Sequence, residues 1–244
     1  RGEAHRQVRA ANLPAAQVEQ VVDLVTDQTL ALASVRLTPM GDGIEEPAEL
    51  RRQDGSSVYE IAGSAVYTSE DILAAEQRLV HTAGLGDGHR ASGDAVALAL
   101  LEQAANGVSL NPGQTALVTG MATSGNRLQL AIAPAGTGKT TAMRALTAVW
   151  VEDGGTVLGL APSAAAAAVL REQTGATTDT LAKLTWSLAH DDLPDWARAI
   201  DARTLVVIDE AGMADTLSLD TAVQFVTARG GQVRLIGDTQ QLAA

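Results

Sequence analysis

The stretch LQLAIAPAGTGKTTAMRAL, Leu128 to Leu146, leaves this chain few folds to choose from. Apolar residues run to Ala133 and stop at a loop of small residues. Lys139, Thr140 and Thr141 follow, and a helical pattern begins there. An apolar run of that length, entering a loop and then a helix, reads as a strand buried on both faces. Such strands belong to parallel sheets covered by helices. The chain repeats the alternation from about residue 107 onward. Strands are expected at 127–133, 156–162, 204–210 and 232–238. Helices are expected in GKTTAMRALTAVWVEDGG, SAAAAAVLREQTG, DTLAKLTWSLAH, LPDWARAID and LSLDTAVQFVTARGG. Ligands of such sheets sit at the carboxyl ends of the strands, so the informative residues are those where each apolar run stops.

The first part of the chain, to about residue 105, has a different texture. A helix is expected over 13–33, then a short strand in SVRLTP and a polar loop. VYEIAG and AVYTS read as short strands of a hairpin. TSEDILAAEQRLVHTAG opens with a capping signal at Thr68 or Ser69 and closes at Gly84. GLGDGHRASGD reads as a flexible linker, and AVALALLEQAANG as a further helix. The expected division is therefore an accessory region of helices and short strands over 1–105, and a larger α/β domain over 106–244.

Composition narrows the chemistry. There are no cysteines, which removes disulfides, zinc ribbons, iron–sulfur clusters and thiol nucleophiles. The four histidines have no metal-ligand spacing. The net charge is −12, which argues against strong sequence-independent binding of nucleic acid by this stretch alone. Aromatic residues make up only 2%, too few for a base-stacking platform. No apolar run has membrane-spanning length and no signal peptide is evident.

The loop APAGTGKT, 133–140, fits G-x-x-x-x-G-K-[ST] with Ala133 in place of the first glycine. Ala133 closes a strand, where a β-carbon is tolerated. Gly136 and Gly138 remain where backbone must approach phosphate oxygens. Successive N–H groups at a helix start make an anion cradle. The cradle is assigned to Pro134, Ala135, Gly136, Thr137, Gly138, Lys139, Thr140 and Thr141. Lys139 is expected to reach the β- and γ-phosphates, and the Thr140 hydroxyl to ligate Mg²⁺. In TLVVIDEAGM, Asp209 is the second expected Mg²⁺ residue and Glu210 the base that orients the attacking water. After VRLIG, Asp238 and Gln241 are expected to sense the γ-phosphate. In LNPGQ, the Gln114 amide offers a donor and an acceptor that suit an adenine edge. Ser163, Thr178 and Thr180, with Thr177 beside them, could hold a nucleic-acid backbone; the threonines are equally readable as helix caps, and for Ser163 the chemistry alone favours an N-cap.

Taken in order, these motifs resemble a superfamily 1 helicase of the RecD-like branch. LNPGQ is similar to the Q motif, APAGTGKTT to Walker A, LAPSAAAAAVLREQTG to motif Ia, TTDTLAKL to the motif after it, VVIDEAGM to motif II and LIGDTQQLAA to motif III. Within that branch the likeness is to the helicase region of conjugative relaxases of the TraA/TrwC type. The resemblance implies a P-loop NTPase with a RecA-like sheet, ATP and Mg²⁺ as cofactors, and single-stranded DNA as a weakly held partner. It also implies a second RecA-like domain that supplies an arginine to the γ-phosphate, other conjugation proteins as partners, and a cytoplasmic place of work. The absence of a starting Met and the end at Ala244, just after motif III, mark the chain as an excised piece with little turnover of its own. Nothing in it supplies a relaxase histidine cluster. Two other readings use the same loop: a P-loop kinase of small molecules, and a non-catalytic nucleotide-binding or docking module. No arginine-rich lid supports the kinase, and intact Lys139, Asp209 and Glu210 speak against the docking module.

Overall fold

The computed structural model describes residues 15–37, 66–132 and 138–237. The chain divides into two compact units, 1–74 and 75–244. In the first, helix α1 spans Ala15–Ala33 and strands β1, Val35–Arg36, and β2, Tyr67–Thr68, pair antiparallel. The described part of AVYTS pairs with SVRL, and the expected hairpin with VYEIAG is not addressed by this pairing. VYEIAG lies outside the described residues. Helix α2, Glu70–Ala83, begins as expected: the Ile72 N–H donates to Ser69 Oγ at 3.2 Å, with Glu70 and Asp71 in its first turn.

The second unit holds α3 (Gly93–Ala105), α4 (Pro112–Thr123), β3 (Leu128–Ile132), α5 (Lys139–Glu152), β4 (Thr156–Ala161), α6 (Ala164–Thr174) and β5 (Thr177–Thr180). Then come α7 (Leu181–Ala189), the short α8 (Asp195–Arg198), β6 (Thr204–Ile208), a 3₁₀ turn Ala211–Met213, α9 (Thr216–Ala228) and β7 (Gln232–Gly237). The five strands form one parallel sheet in the order β3-β7-β6-β4-β5. This is the expected α/β architecture, with one strand more than the sequence suggests. TTDT is polar and short, so no apolar run announces β5. Its β-branched threonines are what suit a strand at the sheet edge.

Strand alternation sorts the core onto two faces. Ala131, Val157, Leu205, Val207 and Ile236 meet α3, α4, α5 and α6 on one side. Leu128, Leu158, Leu160, Val206, Ile208 and Val233 meet α7, α8 and α9 on the other. Helix α6 packs on the sheet through Ala167 and Leu170. A β-carbon at Gly159 on β4 would lie 2.7 Å from Leu170 Cδ2, so helix and sheet approach only because both surfaces are small. On the second face, buried Asp220 of α9 accepts from Arg78 of α2, at 3.0 Å from Nε and 2.7 Å from Nη2.

Contacts divide the chain at 74/75, inside α2, whereas the expected division is at 105/106. The reason is that α3 is not accessory: Val96 and Ala99 are part of the sheet's own core, against α5. The stretch GLGDGHRASGD, expected as a flexible linker, is a strap fastened along its length. Leu85 O accepts from Arg127 N–H, the Gly88 N–H donates to Gly125 O, and the Ala91 N–H donates to Ala122 O. Arg127 pairs with Asp87 at 2.9 Å and His89 Nε2 lies 2.6 Å from Asp153 Oδ2. Glycine-rich sequence signals freedom in the unfolded chain, whereas here it permits close approach: a β-carbon on Gly88 would collide with Gln232. No described helix is long and apolar enough to cross a membrane.

Candidate active site

All five strands point their carboxyl ends the same way. Ile132 stands opposite Gly237, Ile208 between Leu235 and Leu160, and Ala161 opposite Thr180. The expected ligand residues that the structure describes gather along this edge. Residues 133–137 lie outside the described residues, so the expected roles of Pro134, Ala135, Gly136 and Thr137 are not addressed by the geometry, and neither are those of Asp238 and Gln241.

The loop delivers the chain to α5 through Gly138, whose φ of 78° is left-handed. Only glycine adopts that conformation without strain, and a β-carbon there would lie 2.1 Å from Gln114 Nε2, so that amide would have to move aside. No side chain caps α5, so the N–H groups of its first turn carry the positive end of the helix dipole toward the strand ends. Such an end attracts anions. Lys139 is the first residue of the helix, and Thr140 and Thr141 complete the turn, both half-buried.

Strand β6 is buried from Thr204 to Ile208 and releases Asp209 and Glu210 at its tip. The Asp209 N–H still donates to Leu160 O at 2.9 Å, which fixes the residue at the sheet edge. Its Oδ1 lies 3.2 Å from Lys139 Nζ and accepts the Glu210 N–H at 2.9 Å. The two side chains of this ion pair are 24% and 17% exposed, open enough for a ligand to intervene. Glu210 has φ 52° and ψ 37°, one of two non-glycine residues with positive φ among those described. Left-handed backbone costs an L-residue roughly 1–2 kcal/mol. Strain of this kind clusters at functional sites, where surrounding structure holds it in place.

The Thr140 Oγ lies 3.4 Å from Gln173 Oε1, and Arg144 Nε donates to Gln173 O at 2.7 Å. Nothing in the sequence pattern points to Gln173. It reaches the site from the far end of α6, a long-range contact without a local signature. A metal fits what is present. Mg²⁺ takes one or two protein oxygens and fills its octahedron with phosphate oxygens and water. Thr140 and Asp209 offer that modest set, and the described residues hold no richer cluster of His, Asp and Glu.

Other expected residues are differently employed. Gln114 does not present a free amide. Its Oε1 accepts from the Asn111 N–H at 2.9 Å, its own N–H donates to Asn111 Oδ1 at 2.9 Å, and its Nε2 donates to Gly138 O at 3.2 Å. Thr178 is 5% exposed; its hydroxyl donates to Ala167 O at 2.7 Å and accepts from Arg171 Nε at 3.2 Å. That hydroxyl is consumed in joining β5 to α6 and is out of reach of a nucleic-acid backbone. Ser163 caps α6 by accepting from the Ala166 N–H at 3.1 Å, and Thr180 caps α7 by accepting from the Lys183 N–H at 3.0 Å. Both stand at the carboxyl edge. Thr177, at the start of β5, is exposed.

Residues 109–244 match the model of a protein family described as an AAA domain. The chain is 34% identical over 116 residues to a probable conjugal transfer protein TraA of Sinorhizobium fredii, covering 48% of this chain and 10% of that protein. It is 33% identical over 118 residues to a conjugal transfer protein TraA of Rhizobium radiobacter, and 32% identical over 118 residues to that of Agrobacterium fabrum, again covering 48% of this chain and 10% of each. The matched stretch therefore spans about a tenth of these relatives. The resemblance drawn from the ordered motifs and these matches agree.

Proposed function

The chain belongs to the AAA domain family, and from that premise we propose that its carboxyl-edge site binds ATP with Mg²⁺ as half of a DNA-translocating helicase motor in a conjugation protein. The observation that carries the reading is the Lys139–Asp209 pair, 3.2 Å apart at the mouth of an uncapped helix N-terminus, with the strained Glu210 beside it. These are the parts that phosphoryl transfer requires: charge to hold phosphate oxygens, oxygens for a metal, and a base.

Each residue has a task. Lys139 leaves Asp209 and holds the terminal phosphate oxygens, while the first-turn amides of α5 hold the others. Thr140 and Asp209 would hold Mg²⁺, which would supply positive charge to neutralise the phosphate groups. Glu210 accepts a proton from water and aims it; its left-handed backbone sets the carboxylate just past the strand tip. Gly237 ends β7 at this edge, and Asp238 and Gln241, which follow it in the sequence, are proposed to sense the terminal phosphate. Ser163 and Thr180 begin helices on the β4–β5 side, where helix N-termini and hydroxyls suit DNA phosphates.

The likeness to TraA proteins supports single-stranded DNA as the track, a second RecA-like domain as the other half of the motor, other conjugation proteins as partners, and work in the cytoplasm. The test is ATP turnover by the longer parent protein with and without single-stranded DNA. Turnover is expected to rise with DNA and to fall by about 10²–10⁴ in Glu210→Gln. ATP turnover indifferent to DNA would remove the motor assignment, and a small-molecule phosphate acceptor would replace it.

A further inference from the structure

We propose that Gln173 is a positioning residue for the metal site: it accepts the hydrogen bond of the Thr140 hydroxyl and leaves that oxygen's lone pairs to Mg²⁺. The inference rests on the nucleotide reading above and adds to its metal site a residue that stands at no strand tip.

Helical threonines in this chain commonly turn the hydroxyl back on their own helix. Thr26, Thr82, Thr123, Thr174 and Thr227 each donate to the carbonyl four residues earlier, at 2.7–2.8 Å. Thr140 stands in the first turn of α5 and donates across to α6 instead, to Gln173 Oε1 at 3.4 Å. A hydroxyl has one proton and two lone pairs. With the proton directed at α6, both lone pairs remain for a cation.

The 3.4 Å contact is long, but the residue that makes it is anchored. Gln173 O is among the last four carbonyls of α6, which no N–H of the helix can reach. Arg144 Nε donates to it at 2.7 Å. A guanidinium also suits the negative end of a helix. Arg144 lies four residues after Thr140, one turn along the same side of α5. Helix α5 therefore holds Gln173 at two points, the backbone by Arg144 and the side chain by Thr140. The short bond sets where the glutamine side chain begins. The long one touches the hydroxyl assigned to the metal. A tie that served packing alone would act on the site alike with metal and without it. A tie that orients Thr140 acts only where the hydroxyl has a cation to meet.

The experiment titrates ADP into the chain, Gln173→Met and Gln173→Glu, once with Mg²⁺ and once with EDTA, and then titrates Mg²⁺ at fixed ADP. Gln173→Met keeps the length of the side chain and removes the acceptor; Gln173→Glu keeps an acceptor oxygen at the same reach. The loss of one hydrogen bond is expected to weaken ADP binding to Gln173→Met by about three- to tenfold in Mg²⁺, and by less than about twofold in EDTA. The Mg²⁺ concentration for half-maximal binding is expected to rise by the same factor in Gln173→Met and to stay at or below the wild-type value in Gln173→Glu. Equal losses with and without Mg²⁺ overturn the proposal and leave the contact as packing. Unchanged Mg²⁺ dependence in Gln173→Met overturns it, and so does a loss in Gln173→Glu that matches Gln173→Met. A wild-type chain that binds ADP equally in Mg²⁺ and EDTA removes the metal role of Thr140, and this proposal with it, while the phosphate site stands. A wild-type chain that binds ADP in neither condition overturns the nucleotide reading itself and the proposal together.

Discussion

The two ends of the parallel sheet use polar residues in opposite ways. At the amino end, several charged and polar groups are matched into the fold, though the buried Gln232 amide is not. Arg234, fully buried on β7, donates to Met121 O at 2.8 Å and to Asn126 O at 2.9 Å, capping the carbonyl end of α4. Burial without a carboxylate among these partners pushes its pKa down to about 10, and the helix dipole supports the charge that remains. Asp153 accepts the Ser92 N–H at 2.9 Å and meets His89, and its backbone O accepts from Arg203 at 2.9 Å. Trp150, fully buried, donates its indole N–H to Arg203 O at 2.8 Å. At the carboxyl end, by contrast, a half-exposed ion pair, an uncapped helix and a left-handed glutamate stand together. One end holds the sheet; the other keeps its charges available. Functional sites are drawn from the less stable end of a structure because they must exchange partners.

Substitutions at the two ends should therefore separate stability from binding. The largest expected effect is at the amino end. Trp150→Ala should lower stability by about 3–5 kcal/mol in denaturant unfolding, because its cavity lies where α5, β4 and the Arg203 turn meet. A loss under 1 kcal/mol would mean this end is not the anchor. At the carboxyl end, Lys139→Ala should weaken Mg-nucleotide binding by roughly 10–100-fold, the worth of a charged hydrogen bond, and leave unfolding nearly unchanged. Equal damage to both quantities would erase the distinction between the ends.

Asp153→Ala comes next. It frees the Ser92 N–H and removes the partner of His89, with an expected cost of about 1–3 kcal/mol and no change in nucleotide affinity. A smaller change of opposite sign is expected from Glu210→Gly. Relief of left-handed strain should raise stability by up to about 1 kcal/mol while turnover by the parent protein is lost. A destabilised Glu210→Gly would show that the glutamate is there for packing.

The acid limb of stability gives the smallest signal. Burial acts to raise the Asp153 carboxyl, but the hydrogen bonds from Ser92 and the contact with His89 outweigh it and hold the pKa below 3.8. A carboxylate depressed in the folded state contributes its full stability above the unfolded value, and that contribution is lost as pH falls through the folded one. Stability should therefore decline below about pH 3.8 with a component that Asp153→Asn removes. Hydrogen bonding from Ser218 likewise holds Asp215 low, and that from Arg127 holds Asp87 low, so some decline persists in the variant.

The carboxyl end was the more legible of the two in the sequence, for a physical reason. A site at strand tips is written locally: an apolar run, then the residues that stop it. Lys139, Thr140, Asp209 and Glu210 stand at such stops, and the four apolar strands follow from the same pattern. The amino end is built from contacts between distant segments, such as Arg234 with Met121 or His89 with Asp153, which leave no local period. That is why the strap over 85–92 looked like a free linker and why α3 seemed outside the domain. Thr178 and Gln114 are ambiguous in the sequence for a related reason. A threonine or glutamine offers the same groups to a ligand and to a neighbouring backbone, and only the fold shows which one it meets. Strand β5 escaped notice because its edge position needs only one buried residue, Thr178, too few to form a run.

The central claim is that the carboxyl end is a working phosphate site. Calorimetric titration of the chain with Mg-ADP, beside Lys139→Ala and Trp150→Ala, tests it most directly. The account predicts measurable affinity in the wild type, a roughly 10–100-fold loss in Lys139→Ala, and retained affinity in the folded fraction of Trp150→Ala. Identical binding by the wild type and Lys139→Ala would contradict it.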